Sequence, residues 1–193
     1  MAGSHLVRRL FEKAVANTLR LQLRDLGWQV KHGRKLSWPI AQSSDGITEH
    51  LPGMQTDIEL VHVGQRCKLA IDTKFTHIFT GTQYKTEVLR SSYLHQLYAY
   101  LRTQEEELPA NDTKHSEGRL LHPQRDKALD AYVDIQGHRI RFKTIDLMSS
   151  ATEFERRLRP GADIQTMNSR ATGDFPGIPY VPVTKRQMTT PDQ

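Results

Sequence analysis

Two apolar runs of strand length stand side by side in the middle of this chain, and they constrain the fold most strongly. They cover residues 54–63 and 67–75, and a link of two or three residues containing Gly64 separates them. Such a pattern predicts a β-hairpin. With a two-residue turn, the hairpin register places Asp57 directly opposite Asp72.

The predicted hairpin concentrates charge on one face. Side chains alternate along a strand, so Asp72 and Lys74 are expected to share a face with Asp57 and Glu59. Two facing carboxylates destabilise a hairpin by up to about 1 kcal/mol, and a cation between them reverses that effect. Mg²⁺ prefers carboxylate oxygens, water and phosphate oxygens, and Lys74 could then stabilise an oxyanion or orient a water. The alternative is an exposed polar face with a Lys–Asp pair of almost no energetic value.

An amphipathic helix is predicted over residues 6–26. Its apolar stripe comprises Val7, Leu10, Phe11, Ala14, Val15, Leu19, Leu23 and Leu26. The opposite side carries Arg9, Lys13, Arg20 and Arg24. Glu12 lies on the flank of the stripe, where its carboxylate either reaches a neighbouring cleft or is a solvated surface group.

A second helix is predicted over about 87–104, a segment without Gly or Pro. One broad face holds Leu89, Tyr93, Gln96, Leu97, Tyr100 and Leu101. Gln96 and Tyr100 are four residues apart and therefore neighbours on that face. A glutamine among core-facing aromatics needs hydrogen-bond partners, which backbone, water or a nucleic-acid phosphate can supply. The alternative is a glutamine at the boundary of the core.

The second half of the chain predicts further strands. A short strand is expected at 118–123, and a hairpin joins 131–135 to 139–147 through a turn at Gln136-Gly137. In that hairpin Arg139, Arg141 and Lys143 form a basic face. This face either contacts phosphates or protects a strand edge from aggregation, and the second interpretation is slightly favoured.

The remaining segments are less regular. Residues 28–40 contain an extended candidate, and 76–86 reads as a loop over the site in which Lys85 could contact substrate. A capping box predicts a short helix that begins near Ser150. From residue 160 onward, prolines and the lack of a period predict an extended or disordered tail. We therefore expect a domain over 1–158 and a C-terminal tail over 159–193.

Composition bounds the class of protein. A chain of 193 residues with 37% apolar and 25% charged residues is typical of one soluble globular domain. The net charge of +5 permits an anionic partner such as nucleic acid. Cys67 is the single cysteine, which excludes an internal disulfide and is compatible with a reducing cytoplasm. No apolar run reaches the length of a membrane span, so we expect a cytoplasmic protein without membrane contact.

Several common site chemistries have no counterpart in the sequence. The nine histidines include no H-x-x-x-H pair, and one cysteine cannot build a zinc site. There is no phosphate-binding loop of the G-x-x-x-x-G-K-[ST] type and no G-x-S-x-G nucleophile motif. A hydrolase that uses carboxylates and a metal ion remains.

The order of these features resembles the PD-(D/E)xK nuclease superfamily. The helix with Glu12 is followed by a strand with Asp57, a strand with Asp72-Thr73-Lys74 and a helix with Gln96-x-x-x-Tyr100. More narrowly, residues 51–60, 69–75, 93–101 and 118–123 look like the nuclease domain of McrC proteins, the cleavage subunits of McrBC restriction systems. The likeness runs from about residue 6 to residue 158.

The resemblance implies a restriction-endonuclease-like α/β fold, a central mixed sheet flanked by the Glu12 and Gln96 helices. It implies that Asp57 and Asp72 hold Mg²⁺, with Mn²⁺ as an alternative, and that Glu12 completes the acidic cluster. Lys74 would act on the attacking water or the developing charge, while Gln96 and Tyr100 steady the site. The implied activity is Mg²⁺-dependent DNA cleavage in a 5-methylcytosine-specific antiviral system, driven by an AAA+ GTPase partner, McrB.

The sequence also departs from the family pattern. Thr56 stands at the position of the proline in the superfamily name, and Thr73 fills the middle of the triplet. The partner-docking segment of McrC has no counterpart before residue 6, so a truncated McrC, a domain-only relative and a remnant all stay open. Two further alternatives are a stand-alone RecB-type nuclease in repair or defence and a catalytically silent DNA-binding module with the same fold.

Overall fold

The structure is a computed structural model that describes residues 2–62, 67–81, 87–105 and 116–159 of the chain. Of the predicted features, the turn at Gly64-Gln65, the loop residue Lys85 and the C-terminal segment from 160 onward lie outside the described residues.

Three α-helices and ten strands make up the described part. The helices are α1 (Ala2–Leu23), α2 (Ser91–Glu105) and α3 (Ala151–Leu158), and a 3-10 helix spans Ile47–His50. The first five strands are β1 (Trp28–His32), β2 (Lys35–Leu36), β3 (Met54–Gln55), β4 (Ile58–His62) and β5 (Cys67–Thr73). The other five are β6 (Phe79–Thr80), β7 (Val88–Leu89), β8 (Ser116–Pro123), β9 (Asp130–Ile135) and β10 (His138–Ile145).

Six strands form one mixed sheet in the order β1-β4-β5-β8-β10-β9. The strands β5, β8 and β10 run parallel to one another, and the β1–β4, β4–β5 and β9–β10 pairs are antiparallel. Two small sheets, β2–β3 and β6–β7, lie outside it. The predicted α/β class, with a central mixed sheet flanked by helices, is confirmed.

The two sheet faces carry separate apolar clusters. One face packs against α1 and α3 through residues that include Phe11, Val15, Leu19, Ile58, Leu60, Leu69, Ile71, Leu121, Ile145 and Leu158. The other packs against α2 through Met54, Ala70, Leu97, Tyr100, Leu101, Leu120, Ile140 and Phe142. The sheet is therefore the middle layer of an α/β/α arrangement.

The register of the central hairpin agrees with the sequence prediction. The pairs run from Ile58↔Ile71 to His62↔Cys67. These pairs end one position before Asp57, so the predicted Asp57–Asp72 pair is not part of the strand pairing. Cys67 is buried, as expected for a small apolar residue.

The first helix departs from the prediction at both ends. It begins at Ala2 and ends at Leu23, and Gly27 follows with a φ of 75°. Phe11 is the first buried residue described on it, whereas Leu6, Val7 and Leu10 are exposed. Of the predicted stripe, only Phe11, Val15, Leu19 and Leu23 are buried, and Ala14 between them is exposed. Helical spacing indicates which face is apolar but carries no information on where the underlying sheet stops.

Other predicted helix and strand boundaries also differ from the observed ones by a few residues. The helix predicted from about 87 begins at Ser91, because Val88–Leu89 pairs instead with Phe79–Thr80. The extended candidate at 28–40 contains only the two strands β1 and β2.

Two local predictions from turn and cap chemistry are confirmed. The β9–β10 turn has positive φ at Gln136 (48°) and Gly137 (86°), as a two-residue turn of type I′ requires. The Ser150 hydroxyl caps α3 by accepting a hydrogen bond from the Glu153 N–H.

Candidate active site

The strand β5 brings the central triplet to the edge of the sheet where the parallel strands end. The Lys74 N–H donates to the Leu121 carbonyl at 2.9 Å, which continues the β5–β8 pairing one residue beyond β5. In parallel strands the carboxyl ends lie at the same edge, and binding sites of α/β proteins concentrate there. Asp72 and Lys74 therefore lie at the position where a site is expected.

Four of the predicted site residues form one connected network. The Lys74 ammonium donates to Asp72 Oδ1 at 2.9 Å and to Gln96 Oε1 at 3.0 Å. The Gln96 amide nitrogen in turn donates to the Tyr100 hydroxyl. Asp72, Lys74 and Tyr100 are buried, while Gln96 is exposed at the surface of α2. The network thus runs from the sheet to solvent along one helix face.

Tyr93, one helical turn before Gln96, completes the surroundings of Lys74. The Lys74 Nζ lies 5.0 Å from the centre of the Tyr93 ring, within cation–π range. The Tyr93 hydroxyl is 3.3 Å from the Thr76 hydroxyl. The ammonium is therefore enclosed by a carboxylate, an amide oxygen and an aromatic face.

Asp57 occupies a bend just before β4 and contacts the same triplet from the side. Its Oδ2 accepts a hydrogen bond from the Thr73 N–H at 2.7 Å and another from the Thr73 hydroxyl at 2.8 Å. Thr73, the uncharged middle residue of the triplet, therefore has a defined role: it anchors the second carboxylate. Asp57 lies against Thr73 instead of directly over Asp72.

Burial dominates the electrostatics of Asp72. It raises the pKa of this carboxyl from 3.8 to about 6, Lys74 opposes the rise, and the negative charge of Asp57 adds to it. Asp72 is only 1% exposed, so its charged form is poorly hydrated. Burial also raises the pKa of Tyr100, although the hydrogen bond from Gln96 counteracts it. The site disfavours a second negative charge unless a cation compensates it.

Glu12 lies beside this centre and contacts a different partner. Its Oε1 is 2.7 Å from Nε2 of His32, the last residue of β1. The next residue, Gly33, donates its N–H to the Asp57 carbonyl at 2.8 Å. Arg8, one turn before Glu12, lowers the pKa of Asp72 through its charge. The start of α1 therefore borders the site, but the Glu12 carboxylate contacts His32 instead of the Asp72–Lys74 pair.

His122 borders the site and had no sequence signal for it. It is buried at the end of β8, where its Nδ1 lies 2.9 Å from the Thr76 carbonyl and its ring 6.0 Å from that of Tyr93. Burial lowers the pKa of His122 to about 4. The imidazole is therefore neutral, and its Nδ1–H donates to Thr76. Only the parallel pairing of β8 with β5, which leaves no periodic trace, brings it here.

The basic face predicted on β10 is engaged in ion pairs. Arg139 binds Asp134 through two hydrogen bonds of 2.9 Å, and Asp130 pairs with both Arg141 and Lys143. The edge-protection interpretation of this face is wrong, because β10 pairs with β8 and β9 and the edge strand is β9. Each of the three cations already pairs with Asp134 or Asp130 of β9, which leaves less charge for the alternative, a contact with phosphates.

Glu59, predicted to lie on the charged face of the hairpin, is buried and pairs with Arg34 instead of Lys74. The Arg34 guanidinium donates to its Oε1 at 2.6 Å and also to Gln104 at 3.2 Å. This cluster is separate from the network of Lys74.

The donor set fits a hard divalent cation in its chemistry. Both oxygens of Asp72 lie 2.9 Å from the Lys74 Nζ, yet only Oδ1 has hydrogen-bond geometry, so Oδ2 is buried without a hydrogen bond. Asp57 keeps its Oδ1 outside the two bonds to Thr73. Within the described ranges, however, no group of three His, Cys, Asp or Glu side chains is gathered closely enough to hold an ion. Asp57 contacts Thr73, next to Asp72, whereas Glu12 contacts His32.

Comparisons with known proteins give no family assignment: no family model matches the chain, and a search of the curated proteins finds no match. Among the described residues, none of the helices combines the length and the apolar composition that crossing a membrane requires.

Proposed function

We propose that this protein is a metal-dependent deoxyribonuclease that hydrolyses DNA phosphodiester bonds, as the resemblance to McrC nuclease domains implies. The observation that carries the proposal is the contact set of Lys74, whose ammonium joins the buried Asp72 to Gln96 beside a second carboxylate, Asp57. A lysine paired with acids at the carboxyl edge of a sheet suits a substrate that brings negative charge.

In this proposal Asp57 and Asp72 hold Mg²⁺, or Mn²⁺, through the oxygens that hard cations prefer. When bound, the ion would neutralise charge on the phosphate and lower the pKa of a water molecule. The buried Oδ2 of Asp72 supports this assignment, because a carboxylate oxygen without a hydrogen bond is costly unless a ligand completes it. Thr73 keeps Asp57 in position through its hydroxyl and its N–H.

Lys74 supplies positive charge at the point where the phosphate develops negative charge. Gln96 orients the ammonium through its Oε1 and is itself oriented by Tyr100. Since Gln96 is exposed and Tyr100 is buried, the pair also offers a polar contact to a DNA backbone at the surface. Glu12 would complete the acidic cluster only by exchanging its contact with His32.

The decisive experiment assays plasmid cleavage by the purified chain with Mg²⁺, with and without substitutions in the network. We expect Lys74→Ala and Asp72→Ala each to reduce cleavage at least about 100-fold, since electrostatic groups of this kind contribute that much to the rate. His95→Ala, which changes an exposed residue next to Gln96, serves as the control and should cleave normally. Cleavage that survives both network substitutions would defeat the mechanism.

The setting of this activity is also part of the proposal. We place the protein in the cytoplasm, in a McrBC-like system that targets 5-methylcytosine with a McrB-like AAA+ GTPase. A stand-alone nuclease of the RecB type shares the Gln96-x-x-x-Tyr100 feature and would act without a partner. An assay of linear against closed circular DNA, with no partner protein present, separates the two.

One observation favours a second candidate, a catalytically silent DNA-binding module. Within the described ranges no three potential metal ligands converge, and Lys74 contacts both oxygens of Asp72. Calorimetric titration discriminates the candidates: a nuclease should bind Mg²⁺ or Mn²⁺ in a manner that Asp57→Asn and Asp72→Asn abolish, whereas a silent module should give no such signal.

A further inference from the structure

One side of α1 carries a row of cations that the proposed reaction does not use. The residues Arg9, Lys13, Asn17 and Arg20 follow one another at intervals of three or four positions, so they share one face of α1. Arg24 continues this spacing in the turn that follows the helix. All five are exposed. No acidic residue occupies the row, which therefore presents four positive charges and one amide to solvent.

The middle of this row forms one wall of a cleft. A space of about 310 Å³ is lined by Lys13, Ala16, Asn17 and Arg20 of α1 and by His32 of β1. The Arg20 Nη1 donates to the Asn17 Oδ1 at 2.8 Å. Since β1 is an edge strand of the main sheet, no further strand of that sheet covers the cleft on its outer side.

These cations differ from the basic residues of β10 in their pairing. Arg139, Arg141 and Lys143 each pair with one of two carboxylates of β9, Asp134 and Asp130. Among the residues that the structure describes, by contrast, Arg9, Lys13 and Arg24 take part in no ion pair, and Arg20 contacts only the neutral Asn17. The cleft therefore has positive charge available for an external anion.

Two contacts link the cleft to the candidate active site. His32, which lines the cleft, contacts Glu12 at 2.7 Å, and the neighbouring Gly33 donates to the Asp57 carbonyl at 2.8 Å. A polymer that is bound in the cleft and extends along His32 and Gly33 would reach the carboxylates proposed to hold the metal ion. This link favours a long anion over an isolated phosphate.

We propose that the Lys13–Asn17–Arg20–His32 cleft binds the sugar–phosphate backbone of DNA and guides it to the Asp57–Asp72 edge. The choice of DNA rests on the proposed function. Lys13 and Arg20 are separated by about 10 Å along the helix axis, from the rise of 1.5 Å per residue. This is close to three base-pair steps of about 3.4 Å, so the two cations match phosphates a few nucleotides apart.

The test measures binding of a short fluorescent DNA duplex by anisotropy over a range of salt concentrations. EDTA removes divalent cations, so binding is measured without cleavage. The full chain is compared with Lys13→Gln/Arg20→Gln and with the control Arg156→Gln/Arg157→Gln. The control removes the same net charge from α3, where both arginines already pair with Glu153. Glutamine is a good helix former, and thermal unfolding verifies that both variants fold.

Loss of two phosphate contacts should lower the slope of log K against log salt by about 1.8, at about 0.9 per contact. Near 0.1 M salt this corresponds to an affinity about 60-fold lower, while the α3 variant keeps the wild-type slope. Unchanged binding by the cleft variant, equal losses in both variants, or a wild-type chain that does not bind duplex DNA would overturn the proposal. So would a cleft-dependent preference for anionic vesicles or RNA over DNA.

The same series separates this inference from the proposed function. The titration in EDTA reports on the cleft and not on the proposed metal site, because neither Asp57 nor Asp72 lines the cleft. A wild-type chain that binds DNA through Lys13 and Arg20 but cleaves it neither alone with Mg²⁺ nor with a McrB-like partner and GTP refutes the nuclease assignment and leaves the cleft assignment standing.

Discussion

Replacing Asp72 by asparagine tests how strongly the fold opposes a charge at this position. Burial raises the pKa of Asp72 to about 6, against 3.8 for an unperturbed carboxyl. A difference of about two units corresponds to roughly 3 kcal/mol of free energy, at 1.36 kcal/mol per unit. The side chain is almost fully buried, so little of this value is lost to solvent screening.

The sign of this pH dependence of stability follows from which state, folded or unfolded, loses the Asp72 proton first. Below about pH 4 the carboxyl is protonated in both the folded and the unfolded chain, so its raised pKa contributes its full stabilisation. As the pH rises towards 6, the unfolded chain ionises first and is favoured. The stability of the wild type relative to Asp72→Asn should therefore fall by roughly 3 kcal/mol between about pH 4 and 6.5, and stay level above that range.

Urea denaturation in EDTA at several pH values measures this difference directly. The difference in unfolding free energy between the wild type and Asp72→Asn cancels the contributions of the carboxylates that both proteins share. Asp45→Asn, at an exposed loop position, is the control that shows the effect of the same substitution without burial. A wild-type protein that gains stability relative to Asp72→Asn as the pH rises would refute the argument that burial outweighs the pairing with Lys74.

Two further predictions concern the ion and the packing. At pH 7.5, Mg²⁺ at 100 times its dissociation constant should stabilise the wild type by about 2.7 kcal/mol, and Asp57→Asn should abolish this gain in thermal unfolding; an equal gain in both would exclude Asp57 as a ligand. Gly118→Ala should lower the free energy of unfolding, measured by urea titration, by about 1–3 kcal/mol, because its Cβ would approach Leu97 to 2.9 Å. The Cβ of Gly53→Ala would meet nothing within 4 Å, so this variant should change the free energy of unfolding by less than about 1 kcal/mol. Equal effects of the two alanines would contradict this account of the packing.

Local chemistry explains which parts of the fold the sequence predicted. The hairpin register followed from the length of its link and the alternation of its side chains, and the structure has the same pairs from Ile58↔Ile71 onward. The turn at Gln136-Gly137 and the Ser150 cap depend on contacts within four residues. In each case the interactions that determine the structure lie within the same short segment of the sequence.

The unpredicted features depend on partners far away in the chain. The position of β8 between β5 and β10 brings His122 to Lys74, and no period in either segment encodes that pairing. The pairing of Arg139 with Asp134 could be expected only once the β9–β10 register was known. Spacing on α1 identified a row of cations but not the edge strand that turns the row into a cleft.

The place of β8 in the sheet has a consequence for how the chain reaches its native state. The β4–β5 and β9–β10 hairpins join neighbouring segments, whereas β8 pairs with residues 48 positions earlier on β5 and 22 positions later on β10, as in Lys68↔Ser116 and Ile140↔Gly118. Contacts of short sequence separation form faster. Before β8 docks, both hairpins leave an open backbone edge, which is a template for aggregation. We therefore expect the docking of β8 to limit the folding rate. At high protein concentration, we expect the chain to aggregate before this step during refolding.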